Sequence, residues 1–136
     1  MTTIRNRFVA VASMFVLNGS VFGIWASRIP AISSSHDLSP GSFGILLFLS
    51  AVAAITAFSV FGRAADYYGA SVITKRASLF NSIILVLIAF APSVWVLAVT
   101  LIFFGIIHGG MDVSMNSWAA EVERTNKRPL MSSFHA

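Results

Sequence analysis

The 136-residue sequence has no cysteine, only five acidic residues and 10% charged residues in all. Without cysteine there is no disulfide scaffold, no thiolate nucleophile and no cysteine-based metal site. Soluble domains carry about 25% charged residues, so this chain lacks the polar surface to hold its 57% hydrophobic content in water. A mean hydropathy of +0.83 excludes intrinsic disorder. Four prolines and nine glycines, without a three-residue period, exclude a collagen-like chain. No Gly-x-x-x-x-Gly-Lys-(Ser/Thr) loop occurs, so ATP-driven transport by this chain is unsupported. The absence of sustained polar/apolar alternation argues against an outer-membrane barrel.

What the chain does have is long apolar runs, approximately residues 8–32, 41–62, 73–92 and 95–120. A spanning helix needs about 20 residues at 1.5 Å rise to cross about 30 Å of hydrocarbon. The third run reaches that length with Lys75 and Arg76 snorkelling from its first turn. The expected fold is all-α and polytopic: four transmembrane helices plus the start of a fifth from about residue 129, where Pro129 suits a first helical turn. The first run follows Arg5 and Arg7, as a secretory signal would. Its apolar stretch is longer than a signal core, and Ile24 stands where cleavage after Ala26 would need a small residue, so it is read as a retained span. The opening of a further helix at residues 129–136 makes the sequence read as part of a longer protein.

The basic residues set the topology. Arg5 and Arg7, then Arg63, Lys75 and Arg76, then Arg124, Lys127 and Arg128 fall on one side, and of nine basic residues only Arg28 falls on the other. The positive-inside rule makes the crowded side cytoplasmic, giving a multi-pass bacterial inner (plasma) membrane protein with a cytoplasmic N-terminus. This placement in loops, rather than in one patch, also removes nucleic acid as the expected partner despite the pI of about 10.4.

Polar side chains within spans are costly, and by default they mark function. Span 2 carries only Ser50, Thr56 and Ser59, and span 3 adds Asn81 and Ser82. Spans 1 and 4 carry the richer sets: Asn18, Ser20, Trp25, Ser27 and Arg28, and His108, Asp112, Ser114, Asn116 and Trp118. His108, Asp112 and Asn116 recur every fourth residue and so share one helical stripe. That stripe reads either as hydrogen-bonding glue between helices or as the lining of a water-filled path for solute or proton. Arg28 lies near the outer end of span 1, too far in depth from Asp112 for direct pairing. Gly19-x-x-x-Gly23 and Gly105-x-x-x-Gly109 are small-residue pairs that allow close helix approach. Their occurrence three spans apart hints at a three-helix repeat, as in secondary transporters. Trp118 is expected to be an interfacial aromatic anchor. Between spans 2 and 3, Gly62, Arg63, Asp66 and Gly69, then Lys75 and Arg76, read as a charged cytoplasmic turn. In it Gly62 would permit a tight exit, Asp66 would face or cap a helix N-terminus, and Gly69 would supply an unrestricted φ.

This loop resembles the signature of the major facilitator superfamily, Gly-x-x-x-Asp-(Arg/Lys)-x-Gly followed by basic residues. Gly62, Asp66, Gly69, Lys75 and Arg76 match it, while Tyr67 replaces the usual basic residue. The segments running from Gly23 to Ile32, from Gly109 to Asn116, at Val122-Glu123 and from Met131 to His135 are similar to the fucose-permease-like and uncharacterised inner-membrane branch. The resemblance implies the N-terminal part of a twelve-helix fold that works by alternating access, with spans 1 and 4 lining a central cavity. It implies that Asn18, Trp25, Arg28, His108, Asp112 and Asn116 are substrate or proton-pathway candidates. It also implies that Asp66, with Gly62, Arg63, Gly69, Lys75 and Arg76, forms a conformational gate. The expected function is secondary active transport of a small solute, sugar-like or another metabolite, with Asp112 as the protonatable group and Arg28 attracting an anionic or hydroxylated substrate. The expected partners are the bilayer, the solute, a proton and the missing C-terminal helices; no cofactor and no metal are expected.

Three alternatives use the same residues. A four-helix small multidrug-type exporter acting as a dimer fits the length, but such proteins carry a glutamate in their first span and this one has none. A metalloenzyme built on His108 and Asp112 has two ligands at i and i+4 but no His-Glu-x-x-His pattern. An inactive fragment would leave its helix faces unpacked.

Overall fold

The computed structural model describes residues 2–126 and 131–134 as five helices. They are α1 (Thr2–Ser35), α2 (Pro40–Tyr68), α3 (Ala70–Ala89), α4 (Val94–Asn126) and α5 (Met131–Phe134). The first four are each long and apolar enough to cross a membrane. Helices α1 and α4, with 34 and 33 residues, overrun the apolar runs at both ends. Pro129, Leu130, Lys127, Arg128 and His135 lie outside the described residues, and the expected fifth helix is represented by Met131–Phe134.

Local chemistry sets the boundaries. Asp37 adopts φ +50, a left-handed conformation that Asp tolerates, and turns the chain after α1. Ser39 then caps α2, its Oγ accepting from the Ser42 N–H at 3.1 Å, with Pro40 opening the helix. Near the other end of α3, Ser93 Oγ accepts from the Val96 N–H at 3.4 Å as α4 begins. The Met131 N–H at the start of α5 donates to Glu123 Oε2 at 2.7 Å, so a carboxylate of α4 satisfies a free amide at a helix start.

The segment from Gly62 to Tyr68 is helical, not a turn. Its residues Arg63, Ala64 and Ala65 favour helix, so α2 continues past the bilayer-length run until Gly69, the single residue between α2 and α3. Gly69 takes a positive φ, +91, and no side chain caps α3, so Asp66 lies inside α2 without capping its successor.

Helix α4 is the centre of the bundle, packing mainly on α2 and α3 and also on α1. Small residues make the α2 contact possible. A Cβ on Gly105 would collide with the Ser50 carbonyl, one on Gly109 would come within 2.9 Å of Ala54, and one on Gly110 would strike the Phe61 ring. Ser50 Oγ also crosses to donate to the Leu101 carbonyl at 2.8 Å. Gly19 and Gly23 differ: a Cβ on either meets nothing within 4 Å, so that pair makes no close contact among the described residues.

The buried side chains form three stacked clusters. One, toward the end opposite the basic residues, joins Trp25, Phe43, Ile88, Leu97 and Phe104. A central one joins Ala77, Met111 and Met115. The third, at the basic end, joins Val11, Ala65, Ala70, Trp118, Val122 and Phe134. Trp118 belongs to this last cluster at 7% exposure, which corrects its expected place as an interfacial anchor. Because α4 runs on to Asn126, Trp118 is wrapped by neighbouring helices, and Lys75 Nζ lies 5.6 Å from its ring centroid. The outward faces stay apolar, with Phe48, Ile55, Val60 and Leu79 all exposed, as lipid or further helices require.

Candidate functional site

Most hydroxyls in the spans serve their own helix. Ser13, Ser20, Thr56, Ser82 and Thr100 each donate to a carbonyl three or four residues earlier. Such back-bonding lowers the cost of a hydroxyl in hydrocarbon and engages its one O–H donor within the helix. The amides and the imidazole are different.

His108 lies at mid-length of α4, half-buried, with its Nδ1 3.1 Å from Asn81 Nδ2 of α3. Its ring stacks on Phe104, with centroids 5.3 Å apart, and on Phe22 of α1 at 5.5 Å. Three helices therefore fix one imidazole. Asn81 is fully buried, its Nδ2 also 4.0 Å from the Met111 sulfur. Below this pair, Thr74 Oγ1 donates to Ser114 Oγ at 3.2 Å, a second polar link between α3 and α4.

Helices α1 and α4 run antiparallel, with Trp25 beside Phe104 at 5.8 Å and Phe22 beside His108. One turn further along each, Asn18 and Asp112 come to the same depth. Asn116, another turn on, donates from Nδ2 to the Asp112 carbonyl at 2.9 Å and lies 3.4 Å from Asp112 Oδ1. Asn18, Asn81, His108, Asp112 and Asn116 thus occupy the middle portion of the bundle. The side-chain oxygens of Asn18 and Asn81 are buried with no hydrogen-bond partner among the described residues. Unmet buried acceptors cost about 1–3 kcal/mol each, and a donor from water or solute would relieve them.

The other two candidates lie elsewhere. Trp25 is buried in the apolar cluster, stacked near Phe43 at 6.3 Å and tilted against Phe104. Arg28 is exposed and lines a cavity of about 590 Å³ between α1 and α3, with Trp25, Ile32, Ser35, Leu85 and Ile88. Arg28 lies about 15 Å along the helix from the level of Asn18 and Asp112, at 1.5 Å per residue. The sequence-derived set therefore splits between a central polar cluster and an outer cleft. Asn81 was the participant missed: it appears among the polar residues of span 3, but neither periodicity nor motif linked it to His108. Of the gate residues, Arg63, Asp66, Gly69, Lys75 and Arg76 are exposed at the α2–α3 junction, while Gly62 packs toward Val113. Among the described residues no group of three or more His, Asp or Glu side chains is arranged to hold a metal ion.

These observations define a polytopic α-helical membrane protein with a polar centre. Across all of its 136 residues the chain is 42% identical to the uncharacterized transporter y4wD of Sinorhizobium fredii, covering 36% of that protein. It is 30% identical over 131 residues to the membrane protein MosC of Rhizobium meliloti, covering 96% of this chain and 32% of that one. It is 27% identical over 130 residues to an uncharacterized MFS-type transporter of Yersinia pestis, covering 96% of this chain and 34% of the relative. The chain is thus similar to named transporters, one of them of the MFS type, and spans about a third of the length of the curated relatives it matches. No family model matches it, and no solved structure matches it.

Proposed function

We propose that this chain supplies the first helices of a secondary active transporter that moves a small hydroxylated solute by alternating access, with the central cluster as its solute site. The observation that carries the reading is the pair of buried amide oxygens on Asn18 and Asn81, without hydrogen-bond partners among the described residues, with the Asn81 amide set against the His108 imidazole. Secondary transporters place their sites near the bilayer midplane, and an intramembrane ionisable group is retained when it works. The kinship to named transporters supports the class of activity; solute and mechanism are our proposal.

In this reading Asp112 carries the coupling proton, and Asn116, bonded to its helix turn, orients the carboxyl group. Arg28 acts at the outer cleft, attracting solute before it reaches the centre. Asp66 and its basic neighbours act at the opposite end, where the α2–α3 junction would close against the rest of a full-length transporter. The protein lies in a bacterial inner membrane with its N-terminus in the cytoplasm, as the distribution of Lys and Arg supports.

The test is transport by the full-length protein in vesicles, screened with sugars and polyols while internal pH is recorded. Solute-driven pH change that is lost in Asp112→Asn with solute exchange retained supports the reading. Unchanged coupling in that variant removes Asp112 from the proton's path.

A further inference from the structure

The hydrogen bond between Asn81 and His108 has a direction that the surrounding atoms decide. Either amide atom of an asparagine can face an imidazole nitrogen, so the pair alone is ambiguous. Asn81 Nδ2, however, also faces the Met111 sulfur at 4.0 Å. A thioether has lone pairs and no hydrogen, so it only accepts. Reversing the amide would set an oxygen against that sulfur with no proton between them. Met111 therefore selects the orientation in which Nδ2 points at both neighbours.

The consequence passes to the imidazole. An N–H aimed at Nδ1 requires Nδ1 to be a lone-pair acceptor, which places the ring proton of the neutral imidazole on Nε2. Stacking on Phe104 and Phe22 then holds the ring plane, so Nε2–H leaves along a fixed line from the edge not occupied by Asn81. We infer that Asn81, oriented by Met111, is a positioning residue that fixes His108 as the Nε2–H tautomer, making this imidazole a hydrogen-bond donor to an acceptor oxygen of the transported solute. His108 then serves recognition, and proton traffic is left to Asp112. The amide oxygens of Asn18 and Asn81 offer the converse chemistry, accepting from a donor. A hydroxyl both donates and accepts, so a polyhydroxylated solute satisfies both kinds of group.

The donor role rests on the transport reading above, whereas the tautomer does not, and the two are tested separately. The tautomer is read by 15N NMR of ring nitrogens in the intact, histidine-labelled protein in lipid nanodiscs, with His108→Gln identifying the His108 signals. One species with Nε2 protonated and Nδ1 bare is expected. Asn81→Leu should give mixed tautomers, and Asn81→Asp, whose carboxylate accepts, should protonate Nδ1. Met111→Leu should broaden the preference by freeing the amide, and it keeps the test decisive if Asn81→Leu fails to fold. Wild-type protein with Nδ1 protonated, or Asn81 and Met111 variants that leave the His108 spectrum unchanged, overturns the inference. In vesicles, a folded Met111→Leu transporter, which leaves the Asn81 oxygen in place, should raise the solute KM by up to about tenfold with little change in kcat, the loss expected for one misdirected hydrogen bond of about 1.4 kcal/mol. A tautomer pattern as expected with an unchanged KM would keep the positioning and refute the solute contact.

Discussion

Gly105 packs so closely on Ser50 that the carbonyl oxygen of Ser50 occupies the space a Cβ would need. The obstacle is backbone, on a helix already tied across by the Ser50–Leu101 hydrogen bond, and it has little freedom to withdraw. Gly105→Ala should therefore destabilise the bundle by about 1–3 kcal/mol, the usual range for overpacking. Gly19→Ala, with nothing within 4 Å, should be neutral or stabilising by up to about 1 kcal/mol through helix propensity. Unfolding titrations in mixed micelles separate the two, and equal effects would contradict the asymmetry.

That asymmetry also measures how far the sequence could be read. Both glycine pairs have the same spacing, and both invite close packing. Only their neighbours decide which is used, and those neighbours belong to other helices. The four spans were legible because length and hydropathy are local properties. His108, Asp112 and Asn116 were legible as a stripe because their spacing is helical. The partner of His108 was not, since Asn81 is 27 residues away and nothing local fixes how α3 rotates against α4. Trp118 was misplaced for a related reason: its surroundings depend on how far α4 extends beyond the bilayer run and on what wraps it.

Gly69 joins α2 to α3 at φ +91, a conformation that L side chains rarely adopt. Gly69→Ala should cost about 1–3 kcal/mol even though the position is spacious, because the strain lies in the backbone. Insertion of a second glycine there should restore much of the loss, which thermal unfolding of both variants would check.

At the basic end, Lys75 and Trp118 should respond very differently to removal. Trp118→Ala deletes a buried ring and should cost about 3–5 kcal/mol. Lys75→Ala removes an exposed cation over that ring and should cost no more than about 1 kcal/mol. Comparable losses would mean that the ammonium group, rather than the indole packing, organises this end.

The absence of native cysteine from these 136 residues makes a topology test direct. Single cysteines at Arg5, Ser71 and Ser35 should divide two to one. The first two should be shielded from impermeant thiol reagents in intact cells, and the third should be labelled. Labelling of all three, or the reverse pattern, would overturn the cytoplasmic N-terminus.

A one-residue link between α2 and α3 is too short to let either rod slide along the other. With Gly105 and Gly109 interlocking α2 and α4, and Thr74 and Asn81 bonding α3 to α4, these three helices are bound into a single mechanical piece. The alternating access proposed above would have to carry that piece whole, so that among the described helices the give would fall to α1.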